Sequence, residues 1–310
     1  MSHRPDARPE PTTCSAFSAR LDEPLPGTAP VATTWLAIEQ PGPWGARALR
    51  QSHLDPEVGA QLEQRAEGTG LRIALIRRVG RHALTAADEP RTVLLCDTRP
   101  GSAAVRSTAF TDPRELLDLD LASLAAGRID AGEPVTNPVL LVCSNGKRDR
   151  CCAQFGRALA LELTRADPAA QVWESDHLGG HRFAPTAVVL PTGYVYGRLD
   201  TGTALAALEA ARRGQVLTER SRGRSTWSRP AQSAELALRA ELQESDADAI
   251  RVVGEQRVGA SGHAVELVAR DARYRVLVDV APAARPRPES CGKVFGTPIE
   301  LRVTEVEKLA

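Results

Sequence analysis

The sequence predicts an α/β protein built as two tandem β-α-β-β-α units plus a small C-terminal α+β appendage. Three observations predict it. Short apolar runs alternate with helical periodicity from Thr33 to Arg213. The order of those runs in the first half returns in the second. Past residue 229 the pattern changes to one helix followed by alternating strands. A chain of 310 residues also exceeds what one compact core usually takes.

Residues 1–30 are rich in Pro, Thr, Ser and charge and read as an irregular arm. The first unit spans residues 31–130. It opens with the apolar strand Thr34–Ile38, then the EQPGPWG loop and a helix over Pro56–Glu67. Strands follow at Leu71–Ile76, Thr92–Cys96 and Ala104–Ala109, and Asp112 can cap the next helix. The second unit spans residues 131–228. Pro138–Cys143 reads as a buried strand, SNGKRD as a polar loop, and Asp149–Arg165 as a helix ended by Asp167-Pro168. Strands at Gln171–Glu174, Thr186–Leu190 and Tyr194–Leu199 precede a helix over Thr203–Arg213. In the appendage, residues 229–310, Ala231–Gln243 is helical. His263–Ala269 and Tyr274–Val280 form a hairpin turning at Asp271-Ala272-Arg273.

The two units align in segments: WLAIEQ with LLVCSN, RRVGRH with DHLGGH, TVLLCDT with AVVLPTG. One reading is a decayed duplication of a thioredoxin-like unit; the other is two independent α/β units of similar order. Under the first, Ile38 stands in the place of Cys143, Arg78 in that of His177 and His82 in that of His181, so the first unit holds no metal. Between helix and appendage, Arg220, Arg222, Arg224 and Arg229 read as a solvated linker, or else as a docking patch for an acidic partner.

Thirty-nine basic residues balance thirty-nine acidic ones. That removes the whole-protein electrostatic case for a nucleic-acid partner or an anionic membrane. No apolar run reaches the ~18 residues of a membrane helix. The start, MSHRPDARPEPTTC, lacks the apolar stretch of a signal peptide, so a cytoplasmic protein with reduced thiols is expected.

Cys143, Cys151, Cys152, His177 and His181 carry the candidate chemistry. Cys143 ends a strand, Cys151 and Cys152 open a helix, and the histidines flank Leu178-Gly179-Gly180 in the loop after the next strand. In a parallel α/β unit these places share one edge, where sites are built. The glycines favour a tight loop over a helix there. The helical stripe of Phe155, Leu159 and Leu163 selects Cys152 as the inward thiol, with Cys151 as the alternative. Cys14, Cys96 and Cys291 are read as non-ligating, Cys96 as core.

The segments LLVCSNGKRDRCCAQFG and SDHLGGHRFAPTAVVLPTGYVYGRLD resemble the sucrase/ferredoxin-like family, which belongs with the thioredoxin-like ferredoxins. CSAFSARLDEPLPGTAP, WLAIEQPGPWG, RGRS and RPESCGK extend the resemblance over most of the chain. The resemblance implies a [2Fe–2S] cluster held by Cys143, Cys152, His177 and His181, the histidines on one iron. The extra Cys151 beside Cys152 departs from the motif. An electron carrier exchanging with a redox partner protein, a reductase or an acceptor, is then expected rather than an enzyme with its own substrate. Neutral imidazole ligands imply a higher, pH-dependent potential than a plant-type ferredoxin has. Two alternatives are a thiol-dependent oxidoreductase using Cys151 or Cys152, and a Cys₂His₂ zinc protein. No carboxylate pair suggests glycosidase chemistry.

Overall fold

The computed structural model describes residues 13–80 and 89–309 of the chain. His82 lies outside the described residues. Within the N-terminal arm, helix α1 (Cys14–Arg20) is capped by the Thr13 hydroxyl, which accepts from the Ala16 N–H. Residues 21–33 are irregular, yet they bury Leu25, Ala29 and Ala32.

The first unit contains β1 (Thr34–Glu39), the short α2 (Ala48–Gln51), α3 (Pro56–Ala66), β2 (Leu71–Arg78), β3 (Arg91–Asp97) and β4 (Ala104–Phe110). Asp55 caps α3 and Pro56 occupies its first turn, where a missing N–H costs nothing. Asp112 and Glu115 form a capping box, but the turn they start is 3₁₀, Pro113–Leu117. Then come α4 (Leu121–Ala125) and β5 (Glu133–Pro134).

The second unit contains β6 (Val139–Cys143), a helix that begins at residue 150 and continues as α5 (Arg157–Ala166), β7 (Gln171–Ser175), β8 (Ala187–Leu190), β9 (Tyr194–Tyr196) and α6 (Thr201–Arg212). Every residue of β6 is buried, which is why it reads as an unbroken apolar run. Next come β10 (Ser221–Arg224), α7 (Arg229–Leu242), β11 (Ile250–Val258), β12 (Gly262–Ala269), β13 (Ala272–Pro282), β14 (Arg287–Pro288), β15 (Phe295–Gly296) and β16 (Ile299–Lys308).

The expected α/β class is what the chain adopts. Ten strands make one mixed sheet, ordered β10-β9-β8-β6-β7-β2-β1-β3-β4-β5. The order β2-β1-β3-β4 of the first half repeats as β7-β6-β8-β9 in the second, with the same parallel and antiparallel pairings. The halves meet where β2 and β7 pair antiparallel through Ile76–Ser175, Arg77–Glu174 and Arg78–Trp173. Cross-strand partners share a face, so Leu75 and Arg77 lie on the same side as Val172 and Glu174. That side carries both helix-backed cores, one around α3 and α4 and the other around α5 and α6. The opposite face joins residues from β4 to β9 in one core, including Trp35, Leu141 and Trp173. Across this face the β10 end reaches the first half: the Arg224 guanidinium donates to the Thr98 carbonyl, and Trp35 Nε1 donates to Ser225 Oγ.

Face parity corrects one expectation. Ile38 and Val142 both point to the helix-backed side, whereas Cys143 shares the inner core with Trp35 and Ala37. By sheet register, Glu39 pairs with Ile76 as Cys143 pairs with Ser175. Glu39, not Ile38, therefore stands in the place of Cys143, because a one-residue slip reverses the face. Its carboxylate accepts from the Thr92 N–H.

The arginine stretch is a second correction. Arg222 and Arg224 fit neither reading, since they are fully buried in β10, the edge strand beside β9, whereas Arg220 is exposed and Arg229 half-buried. Arg224 is satisfied by the Thr98 and Ala247 carbonyls and by Asp248. In the appendage α7 packs on the four-stranded sheet β11-β12-β13-β16. The β12–β13 turn falls one residue earlier than expected, at Arg270-Asp271, both with positive φ. Among the described residues no helix is long and apolar enough to cross a membrane.

Candidate metal centre

The carboxyl ends of β6 and β7 and the start of the following helix converge on one edge of the sheet. Cys143 ends β6. The SNGKRD loop then turns on Asn145, whose carbonyl accepts from the Arg148 and Asp149 N–H groups while its side-chain amide donates to the Gly45 carbonyl. The helix opens at Asp149, whose carboxylate accepts from the Cys151 N–H at 2.8 Å.

The first turns of that helix are irregular in a way that matters. Cys152–Gly156 is wound as a π turn, so the 3.6-residue stripe does not apply there. Cys152 still faces inward, joining the core of Cys143 and Leu141, while Cys151 turns away toward Cys14. Gly156 lets the helix rest directly on the strand end: a Cβ there would stand 1.9 Å from the Cys143 carbonyl oxygen.

Cys143, Cys152 and His177 present ligand atoms that all lie within 4.8 Å of one another. His181 is outside that compact group, but its ring stacks on His177 with centroids 5.4 Å apart. Its Nε2 faces Asp149 Oδ2 at 3.8 Å. The Nδ1 atoms of both histidines are buried and have no hydrogen-bond partner. The thiols are buried and the histidines half-buried, so the imidazole side faces outward.

The electrostatics favour an anionic donor at Cys143. A hydrogen bond from Cys152 and, against the effect of burial, the His177 ring and the Leu178 N–H hold its thiol well below the ordinary value. Burial pushes the Asp176 carboxyl up to about 7, with Arg72 opposing and Cys143 reinforcing the rise. Burial lowers His181 against the pull of Asp149. Burial would raise Asp149 too, yet the N–H groups of Cys291 and Cys151, His181 and Ser290 bring it down to about 2.

Two arginines, Arg72 half-buried and Arg222 buried, hold the histidine loop. Arg72 of β2 donates to the His177 carbonyl at 2.8 Å, so the first half of the chain forms a wall of the site. Arg222 donates to the Gly179 carbonyl at 2.9 Å and also to the Thr28 hydroxyl and carbonyl. Gly180 has φ +75° and a Cβ there would meet Arg222 Nη2 at 2.2 Å; Gly179 has φ +90° and open space. Gly180→Ala is expected to cost about 2–4 kcal/mol, combining left-handed strain with lost Arg222 hydrogen bonds. Gly179→Ala should cost only the strain, about 1–2 kcal/mol. Urea unfolding of both variants checks this; equal losses would remove Arg222 from the account.

A further correction concerns Cys14 and Cys291. Read as partnerless in the sequence, they lie against Cys151, with Sγ–Sγ distances of 3.6 Å for Cys14 and 3.3 Å for Cys291. Hydrogen bonds from Cys14 and Ser15 outweigh burial and bring the Cys151 thiol down to about 6. The one available signal was that CSAFS and RPESCGK, both matched in the resemblance, each contain a cysteine. Cys96 is core, as expected.

Compared with curated proteins and with solved structures, the chain has no match in either. The family model described as sucrase/ferredoxin-like matches residues 25–223, from the N-terminal segment to β10 and across both half-sheets. That span takes in Cys143, Cys152 and both histidines and covers more than half of the chain, which therefore belongs to the sucrase/ferredoxin-like family.

Proposed function

We propose that the protein is an electron-transfer protein whose [2Fe–2S] cluster is held by Cys143, Cys152, His177 and His181. The observation that carries this reading is the pair of buried, unpartnered imidazole Nδ1 atoms beside two inward thiols. A buried polar atom without a partner costs free energy, and ligation removes that cost. The donor set suits a binuclear centre: thiolates for one iron, imidazoles for the other. Asp149 beside His181 orients that ring, as outer contacts of metal-bound histidines do, and Arg72 on the His177 carbonyl fixes the loop backbone. When bound, the cluster supplies one-electron redox chemistry.

On this reading the two β-α-β-β-α units are thioredoxin-like, residues 31–130 without a cluster and residues 131–228 with one. The half-buried histidines are the side on which electrons leave. His177 borders a cleft of about 1000 Å³ lined also by Arg47, Arg72 and Asp176, which is where a reductase or acceptor protein would dock. A cytoplasmic setting keeps the thiols reduced.

Anaerobic purification with iron, sulfide and zinc analysis tests the reading. About two irons and two sulfides per chain are expected, with the visible absorption of a [2Fe–2S] centre. A colourless, iron-free protein would overturn it. His177→Cys or His181→Cys should lower the reduction potential, because an anionic ligand replaces a neutral one, and should flatten its pH dependence. Protein-film voltammetry reads both. A wild-type potential that does not change between about pH 6 and pH 10 counts against histidine ligation.

A further inference from the structure

On the other side of the helix start from Cys152, three segments remote in sequence bring thiols together. Cys14 comes from α1, Cys151 from the helix opening and Cys291 from the link between β14 and β15. Their sulfurs form a triangle with edges of 3.6, 3.3 and 3.6 Å. Asp149 completes the group: both its oxygens stand 3.8 Å from Cys14 Sγ, and its carboxylate lies within 4.8 Å of all three sulfurs.

We propose that Cys14, Cys151, Cys291 and Asp149 hold a zinc ion, a second metal site that adjoins the Cys143–Cys152–histidine centre through the contact of Asp149 with His181. The dimensions are those of a single ion. Zinc–sulfur bonds of about 2.3 Å in a tetrahedron place sulfurs ~3.8 Å apart, a few tenths of an ångström wider than this triangle. A disulfide, at about 2.05 Å, would need one pair to close by more than an ångström and would strand the third thiol. Three thiolates with one carboxylate form a zinc set, whereas copper(I) favours an all-sulfur one.

The surroundings are arranged for such an ion. The Cys151 and Cys291 N–H groups each donate to Asp149 at 2.8 Å, and the Ser290 hydroxyl at 3.0 Å, so the carboxylate is fixed in place. The Ser15 hydroxyl donates to Cys151 Sγ and the Cys14 N–H points to Cys291 Sγ. The Arg150 side chain hydrogen-bonds Cys291, and the helix start adds positive potential. Binding releases the thiol protons to solvent and leaves every oxidation state unchanged. The ion ties the N-terminal helix and the C-terminal segment to the turn from which Cys152 projects. Its role is thus a staple that joins segments remote in sequence.

The test uses the full chain, purified anaerobically under reducing conditions from zinc-sufficient medium, with zinc and iron counted separately. The expected result is about one zinc per chain in the wild type. Zinc should be lost in Cys14→Ala and in Cys291→Ala and retained in Cys96→Ala and Cys143→Ser. Cobalt(II) added to zinc-free wild type should give a thiolate-to-cobalt charge-transfer band, absent in Cys291→Ala. Cys291 sits at the rim of the group, so its variant stands as the readout even where Cys14→Ala does not fold. Three results would overturn the site. One is a wild type with neither zinc nor a cobalt band. Another is zinc that survives the Cys14 and Cys291 changes yet disappears in Cys143→Ser. The third is a disulfide between two of the three cysteines in the anaerobic protein. Iron that is absent while zinc is present would overturn the electron-transfer reading and leave this one standing.

Discussion

Cys143→Ser and Cys152→Ser are each expected to reduce the iron and acid-labile sulfide of the purified protein from about two per chain to background. Serine keeps the size of the side chain, so packing at the end of β6 changes little, but a hydroxyl does not ionise near neutral pH and is a poor ligand for iron. Both sulfurs belong to the inner core and both are nearly inaccessible, so solvent cannot replace them as ligands. Cys151→Ser is expected to keep the iron, because that thiol faces Cys14 and Cys291 on the other side of the helix start. Metal analysis beside a circular dichroism spectrum separates cluster loss from unfolding. Iron retained by folded Cys152→Ser and lost from folded Cys151→Ser would reverse the assignment.

Glu174→Ala is expected to be the most destabilising single change, at about 3–5 kcal/mol, because it strands a buried guanidinium. Arg77 and Glu174 are cross-strand partners where β2 meets β7, 2.6 Å apart and both nearly inaccessible. Glu174 also accepts from the Ser144 hydroxyl at 2.8 Å, and Arg77 lies over the Trp44 ring at 4.2 Å. Burial alone would raise the Glu174 carboxyl, but Arg77, Ser144 and the Gly80 N–H hold it below its ordinary value. A carboxyl lowered on folding stabilises the fold above its unfolded pKa. That contribution is lost as the pH falls below about 4.3 and through the lower folded value. Glu174→Gln should therefore flatten the acid limb of stability against pH. Replacing the pair together, Arg77→Met with Glu174→Leu, should recover most of the loss. Chemical denaturation across pH measures all three variants, and a loss under about 1 kcal/mol for Glu174→Ala would contradict the assigned role of the pair.

The central strands were legible because they are buried on both faces, so β1, β2, β3 and β6 appear in the sequence as apolar runs. Strand β10 was not legible. Its sequence, SRGR, has no apolar residue, and its buried arginines are satisfied by carbonyls that lie far away in the chain. Strands β11 and β16 were missed for another reason: register shifts at Val252–Gly254 and opposite Leu277–Val278 break the period-two pattern. The ligand candidates stood out because Cys143 to His181 fall within one unit. Cys291 did not, since 140 residues separate it from Cys151 and no spacing rule reaches that far.

The pairing of β2 with β7 has a consequence for assembly. The seam itself holds three residue pairs and one ion pair, and the inner core that spans both halves adds to it. Here both partners are on one chain, so docking is intramolecular, and a tether supplies an effective concentration in the millimolar range. Dilution cannot separate the halves. The wall that Arg72 provides to the histidine loop is therefore present at any concentration of the protein.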